Sequence, residues 1–133
     1  ENHFTVTAVD RNTSLKEVFC DSDIIFRCLD LEGVVWPLTN EYYDLVLISN
    51  YLYRPFLNEL VALMKPGGYM IYETFGAGNE VFGKPSSSDF LLNPNELSDH
   101  YKDMLQVLEE ELVETDEPKA VRARFFARKP VSN

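Results

Sequence analysis

Basic charge is what this sequence most lacks. Lys and Arg number 12 against 22 Asp and Glu, a formal net charge of −10. Nucleic acid and anionic membranes both require a basic footprint, so neither is expected as the main partner, whereas a small-molecule substrate is not excluded. Cysteine and histidine are scarce as well. Cys20 and Cys28, without further cysteines or clustered histidines, make neither a zinc site nor a disulfide framework. They are expected as reduced structural thiols of a cytoplasmic protein. His3 and His100 stand alone, and no metal is assigned to either. No apolar run approaches the ~20 residues that span a bilayer, and no signal peptide is recognisable. The chain opens with Glu1 rather than Met, so an upstream segment is expected.

What is present is a core-forming composition. With 45% hydrophobic and 26% charged residues over 133 positions, a single domain with its own core is expected over residues 1–133. Residues 4–10, FTVTAVD, read as a buried strand ending in an acid, Asp10. Ser14 and Glu17 have capping-box spacing, which predicts a short helix to Phe19. Residues 23–31, DIIFRCLDL, form a second strand that delivers Asp30 near its end. Residues 43–50, YDLVLISN, form a third, and its continuous hydrophobicity predicts a parallel strand covered on both faces.

RPFLNELVALMKPGG is read as a helix with Pro55 in its first turn and an apolar stripe of Phe56, Leu57, Leu60, Val61 and Met64. Gly67 and Gly68 release the chain into a fourth strand, YMIYETF. A long polar loop runs from 76 to about 93, with a turn of helix after Pro94; loops of this length are functional or mobile. Two final strands joined by ETDEPK make an antiparallel hairpin, the first loosely patterned and the second, AVRARFFAR, cleanly alternating. The order is β-α-β-(short α)-β-α-β-loop-β-β, an α/β Rossmann-like open sheet with an antiparallel C-terminal hairpin. Lys119, Arg122, Arg124, Arg128 and Lys129 gather in the last strand, where a solvated face is favoured over an anion site.

Ligands of open parallel sheets bind at the carboxyl ends of the strands, which makes Asp10, Asp30, Ser49, Asn50 and Glu73 informative. An acid after the strand that precedes a helix can accept from both hydroxyls of a ribose. A second acid one strand over can accept from an exocyclic amine such as adenine's. Each alone is as often a turn residue; their shared placement favours a nucleoside-containing cofactor. Tyr42, Tyr43, Tyr51 and Tyr53 are candidates for an aromatic cluster around a cationic group, although packing is the simpler role for each.

VTAVDRN, DLVLISNYLYRPF and LMKPGGYMIYETF resemble successive motifs of class I S-adenosylmethionine-dependent methyltransferases. The run YETFGAGNEVFGKPSSSDFLLNPNEL is similar to the small bacterial branch described as tellurite-resistance-like. By position, the resemblance implies that Asp10 holds the ribose hydroxyls, Asp30 the adenine amine, and Leu31 the adenine ring through its backbone. It implies Ser49, Asn50 and Tyr51 at the methionine end, with the loop 76–92, carrying Asn79, Phe82, Asp89 and Phe90, on the substrate side. The reaction implied is in-line displacement of a methyl group onto a small molecule. Alignment and exclusion of water do most of the work there, and Tyr53 and Glu73 are candidates for a general base.

The sequence departs from the family where Tyr53 replaces a histidine and where Ser88 and Asn95 replace proline and glycine. The larger departure is the absent first strand and its glycine-rich turn of D.GCG.G type. The six glycines all lie elsewhere, and GAGN at 76–79 follows the fourth strand rather than opening a regular helix. The missing strand would lie between those ending at Asp10 and Asn50, leaving two apolar edges. The chain is therefore expected to be incomplete or inactive alone, or closed by direct pairing of those strands or by a homodimer. The alternative is a non-catalytic methyltransferase fold that dimerises through its sheet edges. A nicotinamide-dependent oxidoreductase ranks below both.

Overall fold

The architecture is that of a computed structural model, which describes residues 4–131. His3 lies outside the described residues. Two compact units follow one another along the chain, Glu1–Thr39 and Asn40–Asn133, and each is taken by itself below.

The first unit is a βαβ hand. Strand β1 (Thr7–Asp10) pairs in parallel with β2 (Ile25–Cys28), and helix α1 (Leu15–Phe19) joins them. Stacking of Phe19 on Phe26, 5.6 Å between ring centres, fixes the helix against β2. The expected capping box does not form. Ser14 is itself helical in φ and ψ, and its amide and hydroxyl both donate to the side-chain oxygen of Asn12, at 3.0 and 2.7 Å. Asn12 reaches the helix start first, so Ser14 has no role as a cap. The short helix expected between the second and third strands is also absent; residues 29–42 carry turns and extended chain.

The second unit is a four-stranded mixed sheet in the order β3-β4-β6-β5. Strands β3 (Tyr43–Ser49) and β4 (Met64–Phe75) are parallel and joined by a 3₁₀ turn (Arg54–Phe56) running into helix α2 (Leu57–Ala62). Helix α3 (Glu96–Tyr101) precedes the antiparallel hairpin of β5 (Gln106–Asp116) and β6 (Lys119–Arg128). The loose pattern in β5 has a structural cause: the register slips between Val107 and Glu109, which interrupts the alternation and leaves Leu108 exposed. Backbone room explains the KPGG run. Gly67 has φ +82°, and a Cβ on Gly68 would lie 2.9 Å from the carbonyl oxygens of Asp44 and Lys65.

One face of this sheet is packed. Val46, Ile48, Met70, Tyr72, Phe125 and Ala127 meet the predicted stripe of α2, all of it buried, and the Tyr101 hydroxyl of α3 donates to the Leu57 carbonyl at 2.7 Å. Continuous hydrophobicity in β3 predicts the same for the other face, and there the structure differs. Leu45, Leu47, Tyr69 and Ile71 line that face exposed, Leu47 at 67% against 0% for Tyr72. Direct pairing of β1 with β3 is not found either. Among the described residues β1 pairs with β2 and β3 with β4, in separate sheets.

Candidate functional site

In the first unit Asp10 is the last residue of β1, paired with Cys28, and Asp30 lies two residues beyond the end of β2; both are exposed. Asp10 Oδ1 accepts the Asn12 amide at 2.8 Å, and Asp30 Oδ1 accepts the Glu32 amide at 2.9 Å. Each carboxylate thereby rigidifies its own turn with one oxygen. Among the described residues no partner occupies the second oxygen of either. Asp30 Oδ2 lies 3.6 Å from where a Cβ would stand on Gly33, an ordinary van der Waals separation. Arg11 and Glu32 bridge the two loops at 3.5 Å, and the Leu29 amide donates to the Asp10 carbonyl at 3.1 Å. Two exposed carboxylates, each with an acceptor oxygen to spare, can take hydrogen bonds from hydroxyl or amine groups of a ligand. Leu31, next to Asp30 in sequence, is half-buried. Cys20 and Cys28 are both free thiols and both exposed.

In the second unit Ser49 and Asn50 end β3, exposed, with Asn50 in the left-handed region at φ +53°. A non-glycine residue holding that conformation at a strand end is uncommon and needs surrounding bonds. They are present. The Asn50 amide donates to the Glu73 carbonyl at 2.9 Å, and its side-chain oxygen accepts from Arg122 Nη1 at 2.7 Å. Arg122 Nε also donates to Glu73 Oε2 at 3.0 Å, while its guanidinium stands 4.5 Å from the Phe75 ring centre. Arg124 approaches the other Glu73 oxygen at 3.4 Å. Asn50, Glu73 and Arg122 thus form one network across the carboxyl ends of β3 and β4. As a base, Glu73 would first have to exchange a guanidinium for the acceptor's proton. Tyr51 follows, its carbonyl accepting the buried Tyr72 hydroxyl at 2.6 Å; burial pushes that phenol far above its ordinary range.

The tyrosine cluster does not assemble. Tyr42 and Tyr43 stand at the amino end of β3 and Tyr51 and Tyr53 beyond its carboxyl end, separated by a seven-residue strand of about 20 Å. Tyr43 donates to Glu41 at 2.9 Å, and the Tyr53 ring packs 5.1 Å from that of Phe56.

The loop 76–92 is closed at its base by a bridge between Gly76 and Leu92. A Cβ on Gly76 would fall 2.5 Å from a Leu112 methyl, so glycine allows this close approach. Asn79, read from sequence as a substrate-side residue, has its side chain only 2% exposed. Its Nδ2 donates to the Pro85 carbonyl at 3.0 Å and its Oδ1 accepts the Val121 amide at 2.9 Å, so it ties the loop to β6. Phe82, Asp89 and Phe90 are exposed, as are their neighbours over 80–84 and 86–90. Asn95, in the place of a family glycine, has φ +62°; asparagine is among the side chains that best tolerate it.

Sequence reasoning missed three residues. Arg122, read as part of a solvated strand face, has a side chain only 13% exposed. The signal was its alternation: positions 122 and 124 share a face of β6, and β6 pairs with a strand that carries Glu73 on the matching face. Arg54 and Glu96 carried no signal, since 42 positions separate them; they meet at 2.6 Å.

The sequence matches no family profile and no curated protein. Solved structures do match the fold. The N-methyltransferase NodS from Bradyrhizobium japonicum WM9 matches with a TM-score of 0.68 at 14% identity, over 95% of this chain and 74% of its own. TehB from Haemophilus influenzae matches with a TM-score of 0.67 at 23% identity, over 95% and 50%. The 1,6-didemethyltoxoflavin-N1-methyltransferase from Burkholderia thailandensis, with that compound and S-adenosylhomocysteine bound, matches at 0.65 and 16%, over 94% and 61%. At these identities the likeness is one of fold, and the chain spans between half and three quarters of these neighbours. The open mixed α/β sheet with antiparallel β5–β6 is the fold of the S-adenosylmethionine-dependent methyltransferases.

Proposed function

We propose that this chain is a methyltransferase domain that binds S-adenosylmethionine and serves methyl transfer to a small molecule. The observation that carries the reading is the pair Asp10, which ends β1, and Asp30, just beyond β2, both exposed and each with one oxygen without a partner among the described residues. Asp10 is assigned to the ribose hydroxyls, Asp30 to the adenine amine and Leu31 to the adenine ring. Ser49, Asn50 and Tyr51 are assigned to the methionine end, and Phe82, Asp89 and Phe90 to the acceptor side. The cofactor supplies a methyl group made electrophilic by its sulfonium. The residues' task is to bind, align and keep out water, with Tyr53 and Glu73 the candidates to hold a proton. The charge of −10 disfavours a polyanionic acceptor.

Calorimetric titration of the full chain with S-adenosylhomocysteine tests this. Saturable binding that Asp10→Ala abolishes is the expected outcome. No binding at millimolar ligand refutes a self-sufficient cofactor site.

A second reading, a methyltransferase fold serving as an interaction module, is favoured by the exposed apolar face of β3 and β4 and by the unpaired edge of β3. Sedimentation velocity separates the two: a concentration-dependent dimer without ligand binding supports the module.

A further inference from the structure

Within the loop 76–92, the stretch between the Pro85 carbonyl, held by Asn79, and the buried Leu91 and Leu92 has few ties of its own. Residues 86–90 are all exposed, and the short turn Ser88–Phe90 ends without a continuing helix to absorb its carbonyls. One side chain from another part of the unit supplies the partners. Arg54 Nη1 donates to the carbonyls of Ser88 and Asp89, both at 3.2 Å, and Nη2 donates to that of Leu91 at 2.8 Å. The guanidinium is aimed there by Glu96, whose two oxygens accept from Nε at 2.6 Å and Nη2 at 3.0 Å. Glu96 is fixed in turn by the amide and side-chain nitrogen of Asn93, at 3.0 and 3.2 Å. A planar fork that bonds five acceptors has one orientation that satisfies them all.

Arg54 stands four positions beyond Asn50. The stretch between them is tightly tethered: Leu52 is buried, Tyr72 pins the Tyr51 carbonyl, and the Asn50 amide is tied to β4. The guanidinium and Ser49–Tyr51 are thus carried by one short, well-fixed backbone segment. We propose that Arg54 is a positioning residue that couples ligand occupancy at Ser49–Tyr51 to the conformation of residues 85–92, and so to the presentation of Asp89 and Phe90 on the acceptor side. This rests on the assignment of those two regions under the proposed function.

Hydrogen exchange resolved by segment, on the full chain with and without S-adenosylhomocysteine, tests it. In the wild type, ligand should slow exchange across 85–92. In Arg54→Gln, ligand-free exchange there should rise about tenfold or more while β4 and β6 are unchanged, as expected for local rather than global opening. The ligand should still bind with about threefold or smaller loss, yet no longer slow that segment. Arg54→Lys should not restore the response, because an ammonium lacks the fork that reaches two carboxylate oxygens and three carbonyls. Glu96→Gln should retain part of it. A response that persists in Arg54→Gln, or full rescue by lysine, overturns the coupling. Exchange that rises equally in all segments shows a general structural role and overturns it as well. If the wild type binds no S-adenosylhomocysteine, the proposed function fails and the coupling with it; ligand-free exchange alone then decides whether Arg54 holds the loop.

Discussion

The carboxylates of the two units are held in opposite ways. Asp10 and Asp30 each bond an amide two residues on, within their own turns and in full exposure. Glu73 and Glu96 are held by arginines 49 and 42 positions away, in partly buried networks that join separate elements. The first arrangement leaves an oxygen for a ligand and contributes little to the fold. The second uses its oxygens internally and shapes what surrounds the ligand-facing groups. Carboxylates equivalent in sequence therefore divide into binding candidates and structural ones by the range of their partners.

Three measurements break or sharpen that contrast. Glu96→Ala should have the largest effect, a loss of about 2 kcal/mol read from urea denaturation, because it leaves a part-buried guanidinium without its carboxylate. Next is acid. The hydrogen bond from Arg54 holds the Glu96 carboxyl below its ordinary value of 4.5, against the opposing effect of burial. Its folded-state affinity for protons is the lower one, so its stabilisation is complete above about pH 4.5 and is lost as pH falls through the depressed value. Stability measured downward from pH 6 should accordingly fall more steeply in the wild type than in Glu96→Gln. The smallest effect belongs to Asp30→Ala, about 0.5 kcal/mol, since only an exposed turn bond is lost. A loss at Asp30 as large as that at Glu96 would erase the distinction between the two groups.

Much of the second unit was legible. The apolar stripe of α2 and the alternation of β6 are short-range patterns, and each appears where its periodicity places it; β4, by contrast, begins at Met64, ahead of the glycines read as its start. Asp10 and Asp30 were legible as strand-end acids for the same reason. The errors share a cause too. Continuous hydrophobicity in β3 reports that both faces are apolar, not that both are covered, and Leu47 is exposed. The spacing of Ser14 and Glu17 permits a capping box, but Asn12 competes for the same groups. The tyrosines near β3 are close in sequence but divided by an extended strand.

By itself, the sequence determined the order of the six strands, that the last two pair antiparallel, and that an acid ends β1 and another follows β2. Those outcomes depend on side-chain periodicity and on bonds two to four residues long. Tertiary structure alone decided that Arg122 is sequestered between Asn50, Glu73 and Phe75, that Asn79 serves the loop rather than a ligand, and that Arg54 reaches Glu96 and three loop carbonyls. Each of these joins groups brought together by the βαβ crossover or the sheet register, and a polar side chain's role is set by the partners the fold delivers to it.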